Sequence, residues 1–306
     1  MWDMHIFNIK FITVFYNFFI YAFLGWIYES VYVSIVKRNW VNRGFLNGPV
    51  IPLYGAGATL IYMVFWQYRE NLFLIFAGGM LLATVLEYLT SLVMELIFHA
   101  KWWDYSDMKY NYHGRICLGV SVFWGILSVL VIELLQPHVL KLMEFIPERQ
   151  GEYIGYLLFT LLLGDLTFTV VHTVQLNSML ADIQRIKQEF SDYIESTKLY
   201  GTREEWKIKL SNFKISDLLE NIKLSIEENK EKLIELNRNR EGFEIKKFRA
   251  DIERHVKDYL CKFHSRTGMT SLVQKRLLKA FPNVRFIKRE DALKDLKERL
   301  LKYRKK

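Results

Sequence analysis

Long apolar stretches fill the first 176 residues with hardly a charge inside them, and nothing constrains the fold more. About 20 apolar residues in helix cross a hydrocarbon layer about 30 Å thick. The stretches run roughly from Phe11 to Val36, Ile51 to Trp66, Leu72 to Phe98, Ile116 to Leu135 and Tyr153 to Val174. The second is short and opens at Gly48-Pro49 with Pro52 just inside, which suits a helix that begins re-entrant or enclosed by protein; leaving it out gives the alternative count of four spans. Every backbone polar group in lipid needs an internal partner, so the expected fold is all-α. It is a polytopic transmembrane helical bundle of about five spans over residues 1–176, with a C-terminal cytoplasmic helical domain over 177–306.

Charge divides the chain at the same place. Residues 178–306 hold 32 of the 42 Lys and Arg and 21 of the 33 Asp and Glu, a net +11, which leaves −2 for the front. Lys37, Arg38 and Arg43 follow the first span, and Lys101, Lys109 and Arg115 follow the third. Basic residues in short loops stay on the cytoplasmic side, so an odd number of spans puts the N-terminus outside and the tail inside. The first span reads as a retained signal anchor. Trp26, Trp40, Trp66, Trp102 and Trp103 fall near segment ends, where an indole ring suits the headgroup zone. Cys117 and Cys261 sit in different halves, which argues against a disulfide framework.

The tail reads as helix. Apolar residues recur at Met179, Ile183, Ile186, Phe190 and Tyr193, and after Gly201 at Leu219, Ile222, Ile226, Leu233 and Leu236, with Asn229 as a polar position within the stripe. Two such stripes fit an antiparallel hairpin, a coiled coil with another subunit, or the amphipathic helices of an ordinary small domain. Helix is expected to continue from Arg249 to Phe281, and again from Lys288 to Lys306. Acids interleave with the tail's basic residues at helical spacing. An anionic leaflet is therefore the expected partner, and nucleic acid is not.

Ionisable side chains inside spans mark the expected site, because each costs ~2.5–3.5 kcal/mol at mid-bilayer on insertion scales and needs a compensating role. Glu29, Glu87, Glu95 and Asp165 qualify. Asp165, Thr169 and His172 form one helical stripe, compatible with a proton or cation site or with a structural hydrogen bond. The loop from Arg43 to Gly55 combines glycines and prolines into a shaped turn, and a second loop carries Asp104, Asn111 and Arg115. Arg43 and Arg115 are the natural partners of the acids, whether in a substrate or ion site or as structural ion pairs. No P-loop, nucleophile elbow, H-E-x-x-H or C-x-x-C occurs, and Cys261 with His264 makes no zinc site, so neither cofactor nor metal is expected.

Taken in order, Gly25-Trp26-Ile27-Tyr28-Glu29, Arg43-Gly44-Phe45-Leu46-Asn47-Gly48-Pro49, Glu87-Tyr88, Trp103-Asp104-Tyr105-Ser106 and Asn111-Tyr112-His113-Gly114-Arg115-Ile116-Cys117-Leu118 form a distinctive set. Together they resemble the bacterial membrane family described as putative ABC-transporter type IV, or CmpB-like, over residues 20–176. Arg276-Leu277-Leu278-Lys279-Ala280-Phe281-Pro282-Asn283 resembles a tail element of its members. The resemblance implies a permease subunit in a bacterial inner membrane, in contact with lipid and served by a separately encoded ATPase. The residues themselves leave two further readings open. One is a membrane enzyme acting on a lipid or lipid-linked substrate; the other is a scaffold whose helical tail forms homo-oligomers.

Overall fold

A computed structural model describes residues 4–6, 9–197, 218–236 and 244–302. Gly201, and the ends of the expected tail helices that fall between or beyond these ranges, lie outside the described residues. Almost everything else is helix. The described chain forms two compact units, one of Met1–Gln175 with Ser271–Ile287 and one of Leu176–Thr270 with Lys288–Lys306.

The first unit is built on α1 (Phe11–Lys37), α2 (Pro52–Phe65), α3 (Leu72–Phe98), α4 (Leu118–Leu130), α5 (Gln136–Glu144) and the first half of α6 (Glu148–Ser196). Four helical stretches are long and apolar enough to cross a membrane: α1, α3, the run from α4 through α5, and α6. Their outer faces keep large apolar residues exposed, such as Phe73 at 79% and Leu81 and Leu96 at 66%. Such faces suit lipid. The 14-residue α2 covers only about 21 Å at the usual helical rise, so it is shorter than a full crossing.

The α4–α5 run extends nine residues beyond the expected end at Leu135. Pro137 has no amide to give, and a π-helical turn over Val131–Leu135 absorbs the mismatch, with the Gln136 N–H donating to Val131 O. Beside this turn the Tyr21 hydroxyl donates to Gln136 Oε1 at 2.8 Å, both side chains buried.

Two close features shape the unit. Where α1 crosses α2, a Cβ on Gly25 would run into the Tyr54 ring and one on Gly55 into Phe18 O, so only glycine allows that approach. In the α3–α4 loop, Gly114 sits at φ +67°, and its missing side chain leaves room for Asp104 and Ser106. Short antiparallel pairs complete the connections: β1 (His5–Ile6) with β2 (Ile9–Lys10), β3 (Ala100–Lys101) with β6 (Arg285–Phe286), and β4 (Asn111–Tyr112) with β5 (Ile116–Cys117).

Helix does not run unbroken from Arg249 to Phe281. It divides into α9 (Ile245–Gly268) and α10 (Leu272–Ala280), because Ser271 and Gln274 form a reciprocal capping box that starts a new helix. Trp102, four residues past the end of α3, is 4% exposed and packs edge-on against Phe45, Phe98 and Phe281.

In the second unit, Ile186, Phe190 and Ile194 of α6 share one core with Leu218, Ile222 and Ile226 of α7 (Leu218–Glu228), Leu233 of α8 (Lys230–Leu236), and Ile252, Val256 and Tyr259 of α9. The stripes thus meet within one chain. The Asn229 amide turns back to Ser225 O at 2.8 Å in the break between α7 and α8. On α11 (Glu290–Lys302), Asp295 pairs with Lys187 at 2.9 Å.

Candidate functional site

After Lys37 the chain does not stay at the end of α1; it turns back and descends beside it. The Val41 N–H donates to Ser34 Oγ at 2.9 Å, the Arg43 N–H to Ser30 Oγ at 3.2 Å, and the Ile51 N–H to Ala22 O at 3.0 Å. Ala22 lies about 22 Å along the helix from Lys37 at ~1.5 Å per residue, so α2 begins beside the middle of α1 and residues 38–51 fold back along it, as a re-entrant segment would. Irregular backbone is tolerated at that depth only inside protein, with its polar groups satisfied. Leu46, fully buried, and Val41, 2% exposed, anchor it.

Asp165 and Arg276 hold this loop from two directions. Asp165 Oδ1 accepts from the Asn47 N–H at 3.0 Å and the Asn47 side-chain amide at 2.8 Å, and Oδ2 accepts from the Gly48 N–H at 2.7 Å. Thr169 joins both Asp165 and Asn47. His172, third in the stripe, faces the Phe168 carbonyl through Nδ1 instead. From α10, the Arg276 guanidinium donates to Asn47 Oδ1 at 3.1 Å, Gly44 O at 2.7 Å and Phe45 O at 2.6 Å. A planar fork with several donors suits clustered carbonyls in a way a lysine does not.

The three glutamates each have separate partners. Glu29 accepts from the Tyr54 hydroxyl at 2.9 Å and lies 3.8 Å from Arg43, whose guanidinium also donates to Ala280 O and stacks on the Phe281 ring. Glu87, 3% exposed, accepts from the Tyr105 hydroxyl at 3.0 Å and Trp124 Nε1 at 3.1 Å, with no arginine among its hydrogen-bond partners. Glu95 pairs with Arg115 at 2.8 Å. The Glu29 and Glu87 groups adjoin through the Tyr54 and Trp124 rings, whose centroids are 5.2 Å apart. Burial, then the Glu87 carboxylate, pushes the Tyr105 hydroxyl well above the ordinary tyrosine range, so it remains a donor.

Asp104 and Asn111 are committed to the shape of their own loop. Asp104 accepts from the Ser106 N–H and hydroxyl and pairs with Arg285 at 3.1 Å. Burial opposes its ionisation, but these hydrogen bonds and the basic neighbours outweigh it and hold its carboxyl below the usual range. The Asn111 amide donates to Ser106 O and Met108 O, and Asn111 Oδ1 accepts from the Gly114 N–H.

A cavity of about 220 Å³ lies among α1, α2, α3 and the α4–π run. Its walls are apolar, including Leu24, Ile61, Ala83, Leu127 and Val131; Glu87, Tyr54 and Trp124 lie at one end, and Tyr21 beside the π turn at the other. Tyr28 and Phe123, exposed and stacked with centroids 6.3 Å apart, belong to its lining on α1 and α4. Among the described residues no cluster of His, Cys, Asp or Glu could hold a metal ion.

The family model described as putative ABC-transporter type IV matches residues 16–170. The chain belongs to that family. The match takes in α1 from its second turn, α2 to α5, the 38–51 loop, the cavity lining, and Glu29, Arg43, Glu87, Glu95, Asp104, Asn111, Arg115 and Asp165, while Arg276 lies beyond it. No solved structure matches the chain. Membership and four long apolar helices together make it an ABC-transporter-related membrane protein. Sequence reasoning did not select Tyr54, Trp124 or Arg276. Tyr54, Tyr105 and Arg276 did stand within the loop and family motifs; Trp124 had no signal beyond its place in an apolar run.

Proposed function

We propose that the chain is a permease-like subunit that passes a substrate through the intramembrane cavity beside Glu29 and Glu87. ATP hydrolysis is supplied by a separately encoded ATPase, since the sequence has no P-loop of its own. The observation that carries this reading is a pocket at span depth, apolar along its length and ending on a buried carboxylate, within the region matched by the transporter family. In this reading the N-terminus is outside, the basic tail is cytoplasmic and meets the anionic leaflet and the ATPase, and self-association runs through the tail.

Two measurements test it. Isolation of the full chain from native membranes after crosslinking should bring down a nucleotide hydrolase whose turnover falls when Glu87→Gln replaces the wild type. If no hydrolase depends on the chain and the lipid extract changes with its expression instead, the protein is a membrane enzyme. A reporter fused after Lys306 should behave as cytoplasmic, and a label at Glu70 should react from outside. A C-terminus outside would reverse the assigned orientation.

A further inference from the structure

We infer that the cavity receives the apolar chain of a single-chain amphiphile with an uncharged, hydroxyl-bearing head, which enters sideways from the bilayer between α1 and α4. The inference rests on the permease reading for its role as substrate, while occupancy of the cavity stands by itself.

Size excludes a whole soluble metabolite. Pockets that enclose drug-sized ligands run to roughly 300–1,000 Å³, so a space of about 220 Å³ holds part of a molecule whose remainder lies elsewhere. The lining excludes a polar occupant over most of its length: Leu24, Ile61, Ala83, Leu127 and Val131 present hydrocarbon only. Position supplies the source. The lining residues Leu24 and Tyr28 are exposed along the middle stretch of α1 and Phe123 in the second turn of α4, all within apolar helices whose surrounding solvent is acyl chain. α1 packs on α2, α2 on α3 and α3 on α4 more extensively than α1 does on α4, where Tyr28 and Phe123 stack, so the α1–α4 face is where an occupant passes.

Hydrogen-bond stoichiometry specifies the head. At the polar end Tyr54 donates to Glu29, and Tyr105 and Trp124 donate to Glu87, so these three donors are already committed. Glu87 is the one carboxyl group in the lining, and its two oxygens keep hydrogen-bonding capacity beyond the bonds from Tyr105 and Trp124. A hydroxyl head, which can both donate and accept, complements it; a carboxylate or phosphate head would carry its charge into a lining that holds no Lys or Arg.

The test uses the full-length chain in nanodiscs and two photoactivatable probes with the same mid-chain diazirine, a monoacylglycerol and the corresponding free fatty acid, with adducts mapped by mass spectrometry. Expected are monoacylglycerol adducts on Leu127, Val131 and Leu135, displaced by unlabelled monoacylglycerol, with the fatty acid labelling these residues about tenfold less. Gly57→Leu should abolish them by filling the cavity, since a Cβ at Gly57 makes only ordinary contact with Leu86 at 3.6 Å. If that variant misfolds, displacement in the wild type remains decisive. Equal labelling of cavity residues and of lipid-facing Leu81 and Leu96 by both probes, or labelling that unlabelled monoacylglycerol leaves unchanged, overturns the inference. Loss of ATPase coupling with the adduct pattern intact would remove the permease reading and leave the binding site standing.

Discussion

Asp165→Ala should unfold the re-entrant loop and cost the protein several kcal/mol, the largest loss expected of any single side chain in the membrane unit. Its carboxylate accepts from the backbone N–H groups of Asn47 and Gly48 as well as the Asn47 side chain. Each buried donor left without a partner costs roughly 1–3 kcal/mol, and there is no water at mid-bilayer to replace the acceptor. Asp165→Asn should fare little better, since its amide must direct a donor at donors that now face two carboxylate oxygens. Thr169→Val, which removes one partner of Asp165 and Asn47 and leaves the backbone bonds, should cost far less. Thermal unfolding in nanodiscs would measure the series. An Asp165→Ala protein as stable as Thr169→Val would show that the loop does not depend on this carboxylate.

Arg276→Ala should have the second largest effect, expected at ~1.5–3 kcal/mol for removal of a half-buried charged donor that serves three acceptors. Arg276→Lys should not rescue it, because a single ammonium cannot span Asn47 Oδ1, Gly44 O and Phe45 O together. Lys275→Ala, at the neighbouring exposed position, supplies the control. The decisive readout is limited proteolysis after residue 270 together with stability. Arg276→Ala should make the 271–287 segment cleavable at protease concentrations that spare Lys275→Ala. Equal resistance of the two would mean that other contacts, such as Arg43 with Phe281 and Arg285 with Asp104, hold the segment unaided.

The apolar runs were legible in the sequence because lipid imposes one simple rule on every residue of a span, although the fourth run ends nine residues later than expected. The short second helix was legible too, since Gly48-Pro49 and Pro52 carry local backbone constraints. The arginine pairings with Glu29 and Glu95 followed from the cost of burying charge. Glu87 was different: its partners are a loop tyrosine and an indole from α4, neutral donors that charge complementarity does not select. Arg276 was illegible as a partner of the loop because it lies 229 residues from Asn47, and no periodicity or charge rule acts over that distance. Helix α10 looked continuous with α9 by hydrophobic pattern; the Ser-x-x-Gln capping box overrode the pattern. Likewise the π turn before Pro137 let an apolar run continue where proline suggested an end.

The 38–51 loop also sets where α2 can start. Because the Ile51 N–H donates to Ala22 O, the 14-residue α2 begins beside the middle of α1. The same bond makes the loop a ruler: adding or removing a residue between 38 and 51 would slide α2 along α1 by about 1.5 Å and pull the Tyr54 hydroxyl away from Glu29.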